Sequence, residues 1–216
     1  MKFIGINGSP RKGWNTHTLV EETLKGAADK GAGTELINLY DLSFKGCISC
    51  FGCKRIGGPA RCAVKDELKP VLEKIEEADG LVIGSPIYIG ELSSSTRALI
   101  ERLTFQYISY SKDRKPALDK KIQVGLIFTM NVGESHLEQV GYKAKFDGYA
   151  GLFQRMIGPS KLLISTETWQ TNDYSKYEMS MFDVDARKKR REEVFPLDCK
   201  KAFAMGTELA DAVGKA

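Results

Sequence analysis

Four of the chain's five cysteines, Cys47, Cys50, Cys53 and Cys62, fall within 16 consecutive positions. The run Cys47-Ile48-Ser49-Cys50-Phe51-Gly52-Cys53 sets three thiols at intervals of three, and the fourth follows nine residues on. Three chemistries suit such a group. A [4Fe–4S] cluster needs four thiolates around a compact cube, and C-x2-C-x2-C supplies three corners from one turn of chain. Zinc also takes four thiolates, although structural sites usually pair two separated C-x2-C knuckles, which this chain lacks. Free or redox-active thiols need no metal. An odd number of cysteines without an export signal argues against a disulfide framework. The isolated Cys199 reads as a small apolar side chain in the last helix.

A second set of residues suits an anion. The apolar run Phe3 to Ile6 leads into Asn7-Gly8-Ser9-Pro10-Arg11-Lys12-Gly13-Trp14-Asn15-Thr16, after which a helical pattern begins. Backbone N–H groups at a helix start, with the positive end of its dipole, favour phosphate, and the Ser9 hydroxyl and Arg11 guanidinium add directed donors. Asn15 or Thr16 is suited to cap that helix. Gly8 and Gly13 match the glycines of the nucleotide-binding pattern G-x-x-x-x-G-K-[ST], but Trp14-Asn15 stands where Lys-Ser/Thr is required, which disfavours a nucleoside triphosphatase. The dinucleotide pattern G-x-G-x-x-G fails too, because Gly5 and Gly8 are wrongly spaced and no third glycine follows.

These groups need a scaffold, and the chain alternates short apolar runs with longer stretches of helical spacing. Strands are expected at 2–7, 34–39, 80–84, 123–129 and 161–165, and helices near 15–30, 66–77, 92–107, 135–156 and 185–213. The first, third and fourth strands are apolar almost throughout, as in parallel strands covered on both faces. The expected fold is α/β: a flavodoxin-like, doubly wound, five-stranded parallel sheet of order 2-1-3-4-5, in a single domain over residues 1–216. A cysteine-rich loop at 46–63 and a C-terminal arm and helix at 166–216 are additions to it.

That order makes strands one and three neighbours, so their carboxyl ends form the switch point where ligands bind. Ser85-Pro86-Ile87-Tyr88 after strand three then faces the first loop, and Thr129-Met130-Asn131-Val132-Gly133 after strand four supplies a third wall. A phosphate on the first loop and a flat ring near Tyr88 describe a mononucleotide. FMN suits this better than an adenine nucleotide, because no second phosphate site is evident.

Gly8-Ser9-Pro10-Arg11 with Asn15-Thr16, and Ala78-Asp79-Gly80 leading into Ser85-Pro86-Ile87-Tyr88, resemble the NADPH-dependent FMN reductase family. The intervening cysteines resemble its iron–sulfur flavoprotein branch. The resemblance covers residues 1–105 with specific motifs and extends weakly to about residue 165. It implies that Ser9, Arg11, Asn15 and Thr16 hold the FMN phosphate, that Pro86, Ile87 and Tyr88 line the isoalloxazine, and that Cys47, Cys50, Cys53 and Cys62 carry a [4Fe–4S] cluster; chain order adds Ser85 and Thr129 to the same cofactor site. Arg97 and Glu101-Arg102 stand where the family has a lysine and an Asp-Arg pair.

The activity implied is that of an FMN-dependent oxidoreductase passing electrons between a reduced donor and an acceptor, with NAD(P)H, a quinone or ferredoxin as partners. The resemblance also implies a homodimer or homotetramer. Two alternatives stay open: a cluster-free NAD(P)H-dependent FMN or quinone reductase, and a non-enzymatic carrier or binding module with structural zinc.

Composition narrows the rest. The 216 residues are 42% hydrophobic and 28% charged, which excludes a disordered or collagen-like chain. The longest apolar stretch, Leu81 to Gly90, is interrupted and too short to span a bilayer, and no signal peptide is evident, so a cytoplasmic location is expected. A net charge of +4 carries no nucleic-acid signature, and Arg187-Lys188-Lys189-Arg190-Arg191 reads as a solvated helix face. His17 and His136 are isolated, and no Ser/His/Asp or Cys/His set is visible, which suits a protein whose cofactor carries the chemistry. The polar but aromatic arm 166–184, with Tyr107 and Tyr110, is suited either to cover a neighbouring subunit's flavin or to pack within its own subunit.

Overall fold

A computed structural model describes residues 1–112, 118 and 120–215. Strands β1 (Lys2–Asn7), β2 (Gly33–Asn38), β3 (Gly80–Tyr88), β5 (Gln123–Thr129) and β6 (Ser160–Ser165) pair in parallel in the order β2-β1-β3-β5-β6. Taken in chain order, this is the expected 2-1-3-4-5 arrangement. A two-residue strand, β4 (Glu91–Leu92), folds back antiparallel on the end of β3. β3 is therefore longer than expected, and the segment after Gly84 is largely strand and hairpin.

Alternation along the buried strands builds two cores. Ile4, Ile6, Leu81, Ile83, Val124, Leu126 and Phe128 face α2 (Leu68–Glu77), α3 (Ser94–Phe105) and α4 (Tyr142–Met156). Phe3, Val82 and Ile127 face α1 (Asn15–Asp29) and α6 (Phe195–Asp211) on the other side. Helices α1 and α6 approach very closely. A Cβ on Gly26 would stand 2.0 Å from the Phe203 oxygen, and one on Gly206 would stand 1.9 Å from the Thr23 oxygen. Only glycine at both positions allows that crossing, which anchors α1 and hence the loop that precedes it.

Two helices differ from expectation. The fourth was expected from residue 135 but begins at Tyr142, because Gly141 takes a φ of 73° after a short 3-10 turn at Glu134–His136. The last is split into α5 (Val184–Lys189), a π turn at Arg190–Val194 and α6. Pro196 opens α6 and has no N–H to bond the turn before it, so the ladder slips to wider spacing there. Of the segment 109–121, residues 113–117 and 119 lie outside the described residues. Among the described residues no helix is long and apolar enough to cross a membrane.

Candidate functional site

The carboxyl ends of β1, β3 and β5 open into a cleft of about 280 Å³. The first loop contributes Ser9, Arg11, Asn15 and Thr16, β3 contributes Pro86, Ile87 and Tyr88, and β5 contributes Thr129 with Met130 and Asn131. Topology thus brings together eight of the nine residues expected to hold a mononucleotide. Ser85 is the exception. It is fully buried, accepts from Ser93 N at 3.0 Å and donates to Pro86 O at 2.9 Å, so it pins the start of α3 and does not line the cleft.

The first loop is held from below. Gly8 N donates to Gly84 O at 2.8 Å, Ser93 Oγ donates to Gly8 O at 2.6 Å, and Ser9 N donates to Asn7 Oδ1 at 3.1 Å. A side chain at Gly8 would strike Thr96 Oγ1 at 1.9 Å, so the loop can sit this low only with glycine. Trp14, not Asn15 or Thr16, is the N-cap of α1, and its side chain makes no capping hydrogen bond. Nor does an acidic residue stand in the first turn. The positive end of a 15-residue helix therefore opens beside Ser9 and Arg11 without a built-in anion. Thr16 Oγ1 meets Thr129 Oγ1 at 2.7 Å and ties the helix start to β5.

The C-terminal arm completes the cleft from within the same chain. Thr168 N and Oγ1 both donate to Met130 O, and Trp169 packs edge-on against Tyr174 with ring centres 4.8 Å apart. Asn15 Nδ2 donates to Trp169 O at 2.8 Å, and Arg11 Nη1 donates to Gln170 O at 2.5 Å while its guanidinium lies 3.5 Å above the Trp14 ring. Thr168, Trp169, Gln170 and Met179 thus line the cleft of their own chain, residues of the arm that the sequence does not single out as site residues. Their signal was the aromatic content of an otherwise polar segment. Of the two tyrosines grouped with the arm, Tyr107 is instead buried in the core, which pushes its hydroxyl up to about 12, and Tyr110 is exposed.

The basic run also departs from the solvated face expected of it. Lys188 and Lys189 are exposed, but Arg187 donates to Asn131 O at 3.2 Å and pairs with Glu167, Arg190 pairs with the buried Asp198, and Arg191 donates to Asn15 Oδ1 at 2.8 Å. Arg190 and Arg191 open the π turn, and Arg187 lies one turn earlier in α5. Tyr88, half-exposed at the rim, has its hydroxyl pushed up by burial and by Tyr40, with Arg11 acting against the shift.

Beyond the other end of α3, Cys47, Cys50, Cys53 and Cys62 line one small cavity with Arg102, Phe105 and Gln106. Among the described residues no three metal-ligating side chains are drawn close enough to hold an ion, and the cavity is closed down to about 20 Å³. Its chemistry nevertheless fits a thiolate-bound centre. Among the described residues no histidine or carboxylate is in the lining, and Ser49 and Phe51 adopt φ of 53° and 54°, curling the chain tightly between cysteines. The Arg102 side chain is fully buried, and its Nε has no partner among the described residues. Burial works against the charged guanidinium, but Asp66 and Cys62 outweigh it and hold its pKa above the ordinary value. Burial pushes the Cys53 thiol up, with Lys54 acting against it, which is the opposite of the shift that activates a catalytic thiol.

Residues 1–146 match the family model for NADPH-dependent FMN reductase. The chain belongs to the NADPH-dependent FMN reductase family. Its similar sequences include an iron–sulfur flavoprotein of Methanocaldococcus jannaschii, 43% identical over 102 residues, or 47% of this chain and 51% of the relative. Another, from Archaeoglobus fulgidus, is 39% identical over 102 residues, covering 47% of this chain and 48% of the relative. The chain spans about half the length of these curated relatives. In three dimensions it resembles an NAD(P)H:quinone oxidoreductase from Methanothermobacter marburgensis, with a TM-score of 0.71 at 16% identity over 97% of this chain and 98% of the other. A flavodoxin from Archaea aligns with a TM-score of 0.52 at 12% identity over 99% of both chains. These likenesses establish the flavodoxin-like fold of this family member.

Proposed function

We propose that this protein is an FMN-dependent oxidoreductase that passes electrons between a reduced donor and an acceptor, with a [4Fe–4S] cluster on Cys47, Cys50, Cys53 and Cys62. The observation that carries the reading is the convergence of three strand ends on one cleft, together with four cysteines lining one cavity on the same α3 framework. Family membership and the names of the sequence relatives support it.

Bound FMN supplies the exchange of one or two electrons, and a cluster supplies single-electron steps. The chain's own part is to bind and orient. Ser9, Arg11 and Thr16 offer directed donors beside the open start of α1 for a phosphate, and Asn15 holds the arm against them. Pro86, Ile87 and Tyr88 offer an apolar wall for a flat ring, with Trp169 and Met179 narrowing access for water. The donor and acceptor are small molecules such as NAD(P)H or a quinone, or a protein such as ferredoxin, and the protein works in the cytoplasm as a homodimer or homotetramer.

Anaerobic purification followed by flavin, iron, sulfide and zinc analysis of one sample tests the reading. Flavin with about four irons and four sulfides per chain is expected. Flavin without iron would reduce the protein to a plain FMN reductase, stoichiometric zinc would replace the cluster by a structural ion, and failure to take up added FMN would sink the proposal.

A further inference from the structure

Helix α3 and its C-cap meet the cysteine loop through three side chains. Glu101 Oε2 accepts from Cys47 N at 3.3 Å, Gln106 Oε1 accepts from Cys62 N at 2.9 Å, and Arg102 lies between them against the cavity. The guanidinium fastens both ends of the loop. Its Nη1 donates to Lys45 O at 3.2 Å and to Asp66 Oδ2 at 2.5 Å, and its Nη2 donates to Val64 O at 3.4 Å. Lys54 Nζ adds a second cation next to Cys53, donating to the oxygens of Phe105, Gln106 and Ile108 at the end of α3.

Closing the base of a loop does not require a buried charge. A well-packed apolar side chain would do so without desolvating a guanidinium, and a buried cation with a single counter-ion seldom gains stability over such a replacement. Here the guanidinium also keeps a buried Nε–H with no partner among the described residues, while lining a cavity with four sulfurs. A fixed cation with a spare donor is matched to negative charge on those sulfurs.

We propose that Arg102 sets the reduction potential of the centre held by the four cysteines, raising it by stabilising the charge that reduction adds. This rests on the cluster reading above. In a titration one electron passes from the added reductant to the cluster, and no bond forms or breaks. The cluster gains one negative charge, and charge and hydrogen bonding near the sulfurs govern how readily it does so. Asp66 partly neutralises Arg102, so the two residues act with opposite sign: losing Arg102 lowers the potential, and losing the charge of Asp66 raises it.

The test is a mediated redox titration of the anaerobically purified holoprotein, with iron and sulfide quantified and the cluster followed by its electron paramagnetic resonance signal. Arg102→Gln is expected to disfavour reduction at least tenfold, ~59 mV for one electron. Asp66→Asn keeps an acceptor oxygen, removes the charge and is expected to shift the potential upward. A purely structural Arg102 would alter iron content or air sensitivity without producing shifts of opposite sign. Should Arg102→Gln fail to load, Asp66→Asn decides alone, and an unchanged potential overturns the proposal. Loaded wild type with equal potentials in both variants overturns this inference and leaves the cluster reading intact. Wild type that takes up no iron and sulfide removes both.

Discussion

Arg191 Nη1 donates to Asn15 Oδ1 at 2.8 Å, joining the π turn near the C-terminus to the first turn of α1. Because Asn15 Nδ2 is at the same time given to Trp169 O, the amide is held from both sides and fixes the arm across the cleft. Burial lowers the pKa of Arg191 below the ordinary guanidinium value, yet the group stays charged at any physiological pH. Sequence distance hides this pairing, which depends on the insertion of one π turn.

Arg191→Ala is therefore expected to weaken FMN binding without touching the ring. Losing a hydrogen bond to a charged group costs about 1.5–3 kcal/mol, or roughly tenfold or more in affinity. Titration of apoprotein by flavin fluorescence quenching measures it. An unchanged dissociation constant would show that Asn15 needs no support from the C-terminal helix.

Arg11 gives a sharper chemical test, because its guanidinium is aligned by Trp14 and stands beside the open helix start. If it holds the phosphate, Arg11→Gln weakens FMN by roughly 10- to 100-fold and leaves riboflavin, which has no phosphate, unaffected. Equal losses for both flavins would place Arg11 on the ring or assign it to the arm alone, through its bond to Gln170 O.

Much of this architecture is legible in the residues themselves. Phe3, Ile4 and Ile6 are buried on opposite faces of one strand, and such a run permits little but a covered parallel strand, so strand order and the position of the cleft follow. Spacing also isolates the four cysteines, and they do share a cavity. What escapes is decided by local backbone or distant contacts. Ser85 has the composition of a ligand residue but is taken by the Ser93 amide, and the start of α4 depends on the positive φ of Gly141. The arginines at 187, 190 and 191 look like a wet face until folding brings them Asn131 O, Asp198 and Asn15 as partners, all set by tertiary contacts.

The ion pair beneath the cysteine loop predicts a pH dependence. Burial would raise the Asp66 pKa, but Arg102 and the backbone amides of Leu68 and Lys45 outweigh it and hold the carboxyl below its usual range. A depressed carboxylate pKa contributes stability above the unfolded value, near ~3.9, and loses it as pH falls through the folded value. In cluster-free protein, the difference in denaturation midpoint between wild type and Asp66→Asn is expected to be constant above about pH 5 and to shrink below about pH 4. At neutral pH it should correspond to about 1.5–3 kcal/mol. A difference that persists unchanged in acid would mean that the asparagine acts through packing rather than charge.

The helix crossing that anchors the first loop offers two identical substitutions with opposite outcomes. At Gly206 an added Cβ would meet backbone of α1, Thr23 O at 1.9 Å and Ala27 N at 3.0 Å, so the two helices must part. Overpacking of that kind costs about 3 kcal/mol, a fall of roughly 6–12 °C in melting temperature for a chain of this length. Gly148, in the middle of α4, has no described atom within 4 Å of its added Cβ, and there alanine should stabilise by about 0.5–1 kcal/mol through helix propensity. Thermal unfolding of the two single variants compares the effects directly. Because α1 carries the loop at its amino end, Gly206→Ala is also expected to weaken FMN binding, whereas Gly148→Ala is not. Equal melting temperatures for the two variants would mean that α1 and α6 are not in the close contact that positions the cleft.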